Sequence, residues 1–372
     1  MQTTRAAVLR QAGEPLQIET LELVPPGAGE VQIRLGATGI CGTDYSNFHN
    51  RALRIPMVLG HEGAGVVEKI GDGVTRCAVG DHVVLSLISQ CGVCRWCVNG
   101  QPHLCEPGVA AQRAGVLSDG RSRLRKDGDD VYQFLGLGTF SERIVVQQTA
   151  VVPIPKDVPF PVAALLGCGV LTGLGAALRT APVPRGGTAL VVGCGGVGMN
   201  IIQGARIAGA GRIIAVDAVP DKGAIAMELG ATDFVGPGEI GEAVARATDG
   251  RGVDVAFDVV GTTVTSRTCI DATRRGGWIC VVGSKADAEI KLAPVDDLIR
   301  GAKVICGCNY GSSYVLRDVA QAVSALSTGA LDLNKLITQT ITLGDINRGF
   351  DLLRDGGGLR TVITYGESDH SN

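Results

Sequence analysis

The 372-residue sequence is poor in charged and aromatic residues, at 19% and 4%, and its formal net charge is only −3. So weak a charge gives no electrostatic basis for binding nucleic acid or an anionic membrane. The N-terminus lacks the long apolar run and small-residue cleavage site of a secretory signal. The most apolar stretch, VAALLGCGVLTGLGAAL, contains several glycines and is shorter than the roughly 20 residues of a spanning helix. These absences predict a cytoplasmic protein that contacts neither nucleic acid nor membrane.

Glycine and cysteine, by contrast, are abundant, with 54 and 12 residues, and apolar residues make up 45% of the chain. A chain of this length is expected to form two domains of about 100–200 residues each. The glycines follow no short repeat, so they indicate many tight turns. Without a secretory signal, clustered cysteines more often bind metal than form a disulfide framework.

Two patterns divide the chain. Residues 1 to about 150 consist mostly of short alternating strands separated by Gly, Pro or Asp, which predicts an antiparallel barrel or sandwich. Residues 88–135 interrupt this pattern as a long excursion. An apolar helix with a break near 167–169 follows, and strands then alternate with helices, which predicts a doubly wound parallel sheet. The predicted class is therefore α/β, with a β-barrel domain and a parallel-sheet domain.

A glycine-rich loop in the second region has the context of a dinucleotide fingerprint. Gly193, Gly195 and Gly198 follow an apolar strand and open a helix, and the next strand ends at Asp217. These glycines allow a tight turn, close approach of a pyrophosphate, and close packing of helix on sheet. Asp217 can accept hydrogen bonds from ribose hydroxyls and would repel a 2′-phosphate, which favours NAD over NADP. The competing interpretation is a glycine-rich turn with an unrelated aspartate.

Four cysteines lie within one short segment, CGVCRWCVNGQPHLC, at positions 91, 94, 97 and 105. Cys91, Cys94, Cys97 and Cys105 can close tetrahedrally around Zn²⁺ and leave no open position, which is typical of a structural site. Metal binding would then stabilise the excursion. A disulfide pair and an iron–sulfur cluster are the alternatives. His103 is expected to be a bystander.

Cys41, the His61–Glu62 pair and Cys168 are dispersed, and each alone has an ordinary interpretation. An isolated cysteine is usually a small buried hydrophobe, and His61 can be a turn histidine. Spacing therefore does not identify a second metal site.

Several segments in one order resemble the zinc-dependent medium-chain alcohol dehydrogenases: GICGTD, LGHEGAGVV, VGDHVV, the four-cysteine loop, LLGCGVLTGLGAA, VVGCGGVG and LRTVITY. The resemblance extends from about residue 5 to 366. It implies a GroES-like catalytic domain at 1–169, with a structural-zinc loop at 88–110. It also implies a Rossmann NAD-binding domain at 170–309 and a C-terminal segment, 310–372, that returns to the catalytic domain.

The same resemblance implies a catalytic zinc held by Cys41, His61 and Cys168, with a fourth position for water or alcohol. Glu62 corresponds to a glutamate beside that metal, and Asp44 to the aspartate that orients the zinc histidine. Thr43 corresponds to the hydroxyl that takes the alcohol proton. The residues expected to contact NAD are Thr172, Gly193, Gly195, Gly196, Val197, Gly198, Asp217, Lys222 and Arg360.

Some positions depart from the family pattern. Many relatives have a proton-relay histidine where this chain has Ser46, whose hydroxyl passes a proton but is a poor base near neutral pH. His49, three residues on, is a possible substitute or a surface-loop histidine. In the glutathione-dependent formaldehyde branch an arginine occupies the place of Val109, which disfavours glutathione adducts. By alignment with the family, the substrate cleft is lined by Leu87, Ala110, Phe134 and Leu135.

The implied function is zinc-dependent oxidation of a primary aliphatic or aromatic alcohol to an aldehyde, and the reverse, by hydride transfer to NAD. Three alternatives remain. One is a nicotinoprotein with tightly bound NAD and an external electron acceptor, another is a non-catalytic zinc-stabilised redox sensor, and the third is a zinc-independent reductase. The family also implies a homodimer or homotetramer, through the edge near KVICGCNYG. The remaining thiols are predicted to be buried structural residues: Cys77, Cys194, Cys269, Cys280, Cys306 and Cys308.

Overall fold

The computed structural model describes residues 2–283, 285, 287–356 and 358–366. Contacts divide the chain into two compact units, whereas the family resemblance placed the boundaries after residues 169 and 309. Residues 367–372 of the predicted C-terminal segment lie outside the described residues. The first unit consists of Met1–Cys168, Tyr314–Thr328 and Leu333–Asn372, and the second of Gly169–Ser313 and Gly329–Asp332.

The elements follow one another in three groups along the chain. The N-terminal group is β1 Gln2–Leu9, β2 Gln17–Leu23, β3 Glu30–Ile40, α1 Gly42–Phe48, β4 Met57–Val58, β5 Glu62–Ile70, β6 His82–Leu85, α2 Arg95–Val98, α3 Glu106–Ala114, β7 Leu124–Lys126, β8 Asp129–Gln133, β9 Arg143–Gln147, β10 Val151–Ile154 and α4 Phe160–Leu165. The middle group is α5 Leu171–Gly175, β11 Thr188–Val192, α6 Gly196–Ala208, β12 Arg212–Val216, α7 Lys222–Leu229, β13 Asp233–Val235, α8 Ile240–Thr248, β14 Val253–Asp258, α9 Thr263–Ala272, β15 Thr273–Val281 and β16 Val304–Gly307. The last group is α10 Val315–Ser327, β17 Ile337–Ile341, α11 Ile346–Arg354 and β18 Arg360–Thr364.

The first unit contains a small closed barrel and a larger sheet. The barrel runs β1-β2-β7-β8-β4, and the sheet runs β10-β6-β5-β3-β18-β17 with β9 also paired to β3. Alternating apolar side chains such as Leu9, Leu21 and Ile33 are fully buried. The predicted excursion 88–135 includes β7 and β8, which complete the barrel, so the interruption of the β pattern is shorter than expected.

Three neighbouring strands of this sheet bring the site together. β5 and β18 flank β3, with Glu62 opposite Gly39 and Thr361 opposite Ile40. Because the end of β3 meets the starts of two antiparallel neighbours, residues far apart in sequence become adjacent at one edge. Cys41, His61 and Arg360 therefore emerge at the same place.

The apolar helix 160–180 is continuous. The predicted break is instead a π-helical turn, Leu166–Val170, which inserts one extra residue without ending the helix. Contrary to expectation, this 21-residue helix, within the described part of the chain, is long and apolar enough to cross a membrane. Of its most apolar stretch, 78% is buried inside the protein. A buried core helix of the same length and composition would meet the same criteria, so this helix is weak evidence for a membrane span.

The second unit confirms the predicted parallel sheet. Its six strands are ordered β13-β12-β11-β14-β15-β16 and are joined by parallel pairing. Counted within the unit, this order is 3-2-1-4-5-6, the doubly wound arrangement that binds ligands where the order reverses. Fully buried Leu190, Ile214 and Val253 form part of the core under its helices. The reversal lies between β11 and β14, directly beside the glycine-rich loop.

Candidate active site

A buried cluster of four ligand-type side chains lies in the first unit. Ligand atoms of Cys41, His61, Glu62 and Cys168 all lie within 4.8 Å of one another. His61 is fully buried, and its Nε2 has no hydrogen-bond partner. A buried imidazole nitrogen without a partner is costly unless something binds it. Two thiols and one imidazole are the ligand set of an open catalytic zinc site, so the residues present fit that metal.

Asp44 fixes the orientation of His61. It is fully buried, and its Oδ1 lies 3.0 Å from Nδ1 of His61 and accepts the Gly60 N–H at 3.1 Å. Its Oδ2 accepts the Cys41 N–H at 2.9 Å. One carboxylate therefore ties two ligand segments together and leaves Nε2 of His61 to face the cluster.

Local backbone requirements explain why these ligands can approach one another. Gly60 has φ of +92°, and a Cβ there would lie 2.6 Å from the side chains of Phe140 and Thr139. Cys168 lies in the π-helical turn, where a Cβ on neighbouring Gly167 would lie 2.8 Å from a backbone oxygen. Gly60 and Gly167 let the backbone pack closely on its neighbours, and this close packing is required to bring His61 and Cys168 together.

The ligands of the cluster are electrostatically linked. A hydrogen bond from Cys168 lowers the pKa of Cys41, and the same contact with burial raises the pKa of Cys168. Burial alone would lower the pKa of His61, but Asp44 and Cys41 raise it well above the usual value. This electrostatic environment favours positive charge, as a Zn²⁺ site requires.

Arg360 forms a buried ion pair with Glu62, a partner that the sequence did not reveal. Nη2 of Arg360 lies 3.3 Å from Oε1 of Glu62, and the side chains are 7% and 0% exposed. Burial raises the pKa of Glu62 to about 7, although Arg360 opposes the shift. A contact of Arg360 with the pyrophosphate of NAD stays a prediction.

The predicted proton-relay residues lie on α1. Thr43 and Ser46 are three residues apart on this helix, hence on one face, and both are exposed. His49, also exposed, follows the helix, and its ring packs edge-on against Tyr45 and Phe48 at 4.9 and 4.8 Å. These contacts are those of a surface-packed histidine.

The four-cysteine loop forms a second cluster, separate from the first. The ligand atoms of Cys91, Cys94, Cys97 and Cys105 all lie within 4.8 Å of one another, and His103 is not among them. Backbone N–H groups of Cys94 and Cys91 point at the sulfurs of Cys91 and Cys105, both at 3.3 Å. The backbone N–H of Cys97 lowers the pKa of Cys94 to about 6. This all-cysteine geometry is compatible with structural zinc.

A largely apolar cavity of about 230 Å³ lies beside α3. Leu87 and Leu135 line it, together with Ala111, Gln112 and Val116, which sequence reasoning missed. Two other predicted substrate residues do not line it. Ala110 is exposed on α3, and Phe134 is buried with its ring edge-on to His61 at 5.8 Å.

In the second unit, the glycine fingerprint forms a strand–turn–helix. Gly193 has φ of +103°, and Gly195 caps α6, where a Cβ would meet nothing within 4 Å. A Cβ on Gly198 would lie 1.8 Å from the backbone oxygen of Gly193, so only glycine fits. Gly196 and Val197 open the helix. Its free N–H groups and positive dipole suit a pyrophosphate, and the cradle fits a dinucleotide.

Asp217 lies at the end of β12 as predicted. Its carboxylate accepts the N–H of Cys194 at 2.8 Å and that of Val219 at 2.9 Å. Lys222 pairs with it at 3.1 Å, so this lysine is not merely solvated. Asp217 borders an apolar cavity of about 280 Å³ that the sequence did not predict, lined by Val192, Gly193, Val216, Asp217, Ala218, Pro237, Ile240, Val260, Val264, Thr265 and Thr268.

The remaining cysteines differ from expectation in part. Cys194, Cys269 and Cys280 are buried, but Cys77, Cys306 and Cys308 are partly exposed. Cys306 lies in β16, and Cys308 follows directly after this strand. β16 is an edge strand of the sheet and pairs with β15 on one side. Thr172, predicted to line the cofactor site, has its backbone oxygen 4.0 Å from the sulfur of Cys308.

Comparisons with known proteins extend through both units. The family model for the alcohol dehydrogenase GroES-like domain matches residues 27–156, and that for zinc-binding dehydrogenase matches residues 196–327. The chain is 39% identical to alcohol dehydrogenase class-3 of Drosophila melanogaster, over 98% of each chain. It is 38% identical to S-(hydroxymethyl)glutathione dehydrogenase of Paracoccus denitrificans, over 97% of this chain and 100% of the relative. Its fold matches the crystal structure of benzyl alcohol dehydrogenase from Acinetobacter calcoaceticus with a TM-score of 0.92 and 30% identity, over 98% and 100% of the two chains.

Proposed function

The chain belongs to the zinc-dependent medium-chain alcohol dehydrogenases, and on that premise we propose that it interconverts a primary alcohol and its aldehyde with NAD as hydride carrier. The observation that carries the proposal is the buried Nε2 of His61, without a hydrogen-bond partner and within 4.8 Å of the sulfurs of Cys41 and Cys168. One histidine and two cysteines supply three ligands, one fewer than a closed tetrahedral structural site needs.

The protein's own groups prepare the reaction. Cys41, His61 and Cys168 would hold a zinc ion, which would supply Lewis-acid polarisation of the alcohol oxygen. Asp44 keeps the proton of His61 on Nδ1, so that Nε2 is available as a ligand. Glu62, beside the ligands and paired with Arg360, balances the charge of this buried site.

Proton transfer is proposed to run along α1. The Thr43 hydroxyl takes the alcohol proton and passes it towards Ser46 and solvent, because both side chains are exposed on one helix face. His49 takes no part in this scheme, since its ring packs on Tyr45 and Phe48.

Cofactor binding is proposed at the glycine loop of the second unit. The N-terminus of α6 holds the pyrophosphate, Asp217 accepts the ribose hydroxyls, and the 280 Å³ apolar cavity takes the adenine. NAD supplies the hydride-transfer chemistry when bound. The negative charge of Asp217 disfavours the 2′-phosphate of NADP. Lys222 is already paired with Asp217, so its positive charge offsets this repulsion only partly.

The proposed substrate is a small aliphatic or aromatic alcohol. Phe134 packs against His61, and the next residue, Leu135, lines the largely apolar cavity beside α3. The apolar lining residues Leu87, Val116 and Leu135 supply the surface that an aliphatic or aromatic alcohol of the benzyl type needs, and the polar residues Ser89, Gln112, Ser118, Gln147 and Thr149 line the rest of the cavity.

A glutathione-adduct substrate is the second candidate, because relatives at 38–39% identity are named class-3 alcohol dehydrogenase and S-(hydroxymethyl)glutathione dehydrogenase. Such an adduct carries carboxylates that need a cationic partner. This chain has Val109 at the position where that branch has an arginine. The exposed Arg113 lies one turn further along α3, not at that position. We therefore favour the simple alcohol.

One purification with three measurements tests these proposals. We expect two zinc ions per chain, little NAD released on denaturation, and NADH formation with benzyl alcohol that exceeds that with S-(hydroxymethyl)glutathione. Faster NADH formation with S-(hydroxymethyl)glutathione than with benzyl alcohol would instead identify the glutathione adduct as the substrate. Co-purified NAD with turnover only through an artificial acceptor would identify a nicotinoprotein. One zinc and no turnover with any alcohol would refute the proposal and leave a redox sensor or a zinc-independent reductase.

We further propose a cytoplasmic homo-oligomer, a dimer or tetramer. The support is β16, an edge strand of the six-stranded sheet, where unpaired backbone groups can pair with a second copy. Light scattering of the purified protein tests this, and a monomer would contradict it.

A further inference from the structure

The turn that follows β8 contains a leucine in a strained backbone conformation. Leu135 has φ of +55°, in the left-handed region that a bulky side chain rarely adopts, and Gly138 at the end of the turn has φ of +68°. The N–H groups of Leu137 and Gly138 close the turn on the Phe134 backbone oxygen, at 3.0 and 3.1 Å. Strain of this kind persists only where the surrounding structure fixes the backbone, and it occurs most often at functional sites.

This turn borders both parts of the proposed active site. Phe134 packs its ring edge-on against His61, with 5.8 Å between the ring centroids, and Leu135 lines the cavity of about 230 Å³ beside α3. Directly after the turn, the Thr139 N–H donates to the backbone oxygen of Gly60 at 3.0 Å, and Gly60 precedes His61. A displaced turn would therefore move the cavity wall and the packing of His61 together.

One buried side-chain amide, that of Gln133, holds the turn. Gln133 is fully buried, and its Nε2 donates to the backbone oxygens of Leu137, in the turn, and Val145, in β9, both at 3.1 Å. Its Oε1 accepts the N–H of Arg123, the residue before β7, at 2.9 Å. Both N–H donors and the carbonyl oxygen of this amide are therefore paired. These bonds tie the turn to β9 and to the start of β7.

Loss of this amide would release the turn. Leu137 is 1% exposed, and its backbone oxygen accepts a hydrogen bond from Gln133. A buried backbone oxygen that loses its donor is costly, so the segment around it shifts to find another partner. Because Leu135 lies two residues away in a strained conformation, the same shift would let its backbone relax and turn its side chain away from the cavity.

We propose that Gln133 is a positioning residue for alcohol oxidation. It holds the turn 134–138 in its strained form, so that Leu135 forms part of the cavity wall and Phe134 stays packed on His61. The inference rests on the proposed function, because the cavity beside α3 is assigned there to the alcohol. Gln133 acts through Leu135 and Phe134 and not by contact with the substrate.

The test replaces Gln133 with methionine, which has a similar length and no N–H donor. Gln32→Met is the matched control, because Gln32 is also fully buried in the first unit and its Nε2 donates to Glu68 at 2.9 Å. The measured quantity is the ratio of kcat/KM for benzyl alcohol to that for ethanol, which has no ring to place in the cavity. We expect Gln133→Met to lower this ratio by about 10–100-fold with two zinc ions per chain retained, and Gln32→Met to change it by less than about twofold.

A second variant and a measurement independent of activity complete the test. Gln133→Glu keeps the acceptor for the Arg123 N–H but loses both donors when ionised, so it should lower the ratio as well. Hydrogen exchange of the Leu137 and Gly138 amides should quicken by about tenfold in both Gln133 variants relative to Gln32→Met. Thermal unfolding shows whether each variant is folded at the temperature of the assays.

The outcomes separate this inference from the function on which it rests. A ratio that stays unchanged in the Gln133 variants would overturn the proposal even if amide exchange is faster, because Gln133 would then serve stability alone. An equal fall of the ratio in Gln32→Met would also overturn it, since any lost buried amide would then suffice. If the unmodified protein oxidises neither alcohol, the proposed function fails and this inference fails with it.

Discussion

The two cysteine centres of the first unit differ in how they are assembled. The four-cysteine cluster comes from one segment of 15 residues, from Cys91 to Cys105, and three of its four cysteines are partly exposed. The other centre is buried and collects Cys41 from the junction of β3 and α1, His61 from just before β5, and Cys168 from a π-helical turn. The first can organise a loop by itself, whereas the second depends on the sheet already being formed.

Charge distinguishes the two centres further. The dispersed centre buries Asp44, Glu62 and Arg360 around its ligands, and hydrogen bonds to such charged groups contribute about 1.5–3 kcal/mol each. The local cluster uses backbone N–H groups on its sulfurs instead. Buried charged groups that position a metal ligand, but do not complete the coordination shell of the metal, are typical of a catalytic site.

The largest expected effect is loss of turnover in Cys168→Ser. A serine hydroxyl is a poor zinc ligand compared with a thiolate, so zinc per chain should fall from two to one. NADH formation should fall by about a thousandfold, while the thermal midpoint changes little. Metal analysis and turnover measure this, with Cys77→Ser as the matched control. Two zinc ions with normal turnover would refute the catalytic assignment.

Cys97→Ser should show the opposite pattern. Loss of the closed site removes a stabilising metal from the loop, so the thermal midpoint should drop by about 10 °C, at about 2–4 °C per kcal/mol. Limited proteolysis should then cleave between residues 91 and 123 first. The zinc that remains should still support turnover at low temperature. Unchanged stability would mean that the loop does not need its metal.

Asp44→Asn should have an intermediate effect. Asp44 accepts three N–H donors with two oxygens, and an asparagine must turn its own NH₂ group towards at least one of them. Zinc affinity of the buried centre and turnover should both fall by about 10–100-fold. Asp81→Asn is the control, because Asp81 accepts only a turn N–H, from Ala78 at 2.8 Å, at an exposed site. Equal effects of the two substitutions would contradict the positioning role.

The same contrast explains what the sequence could predict. The four-cysteine spacing, the glycine loop and the period of the strands are local patterns, and they predicted the closed cluster, the strand–turn–helix and the parallel sheet. The ligands Cys41, His61 and Cys168 have no diagnostic spacing and were identified only through resemblance. The pairing of Glu62 with Arg360 depends on β18 returning beside β3, which no local pattern encodes. The apolar cavity near Asp217 likewise forms from separate segments.

The smallest effect is expected from Ser46→His, which tests the proton path of the dispersed centre. An imidazole, with a pKa of about 6.5 when unperturbed, accepts a proton near neutral pH, where a serine hydroxyl does not. Turnover below pH 7 should therefore rise by about two- to tenfold relative to turnover at pH 9, with zinc content unchanged. His49→Ala should leave the pH profile as it is, since that ring packs on Tyr45 and Phe48. If Ser46→His leaves the profile unchanged and His49→Ala alters it, the proton leaves by way of His49, and the metal assignment stands on its own.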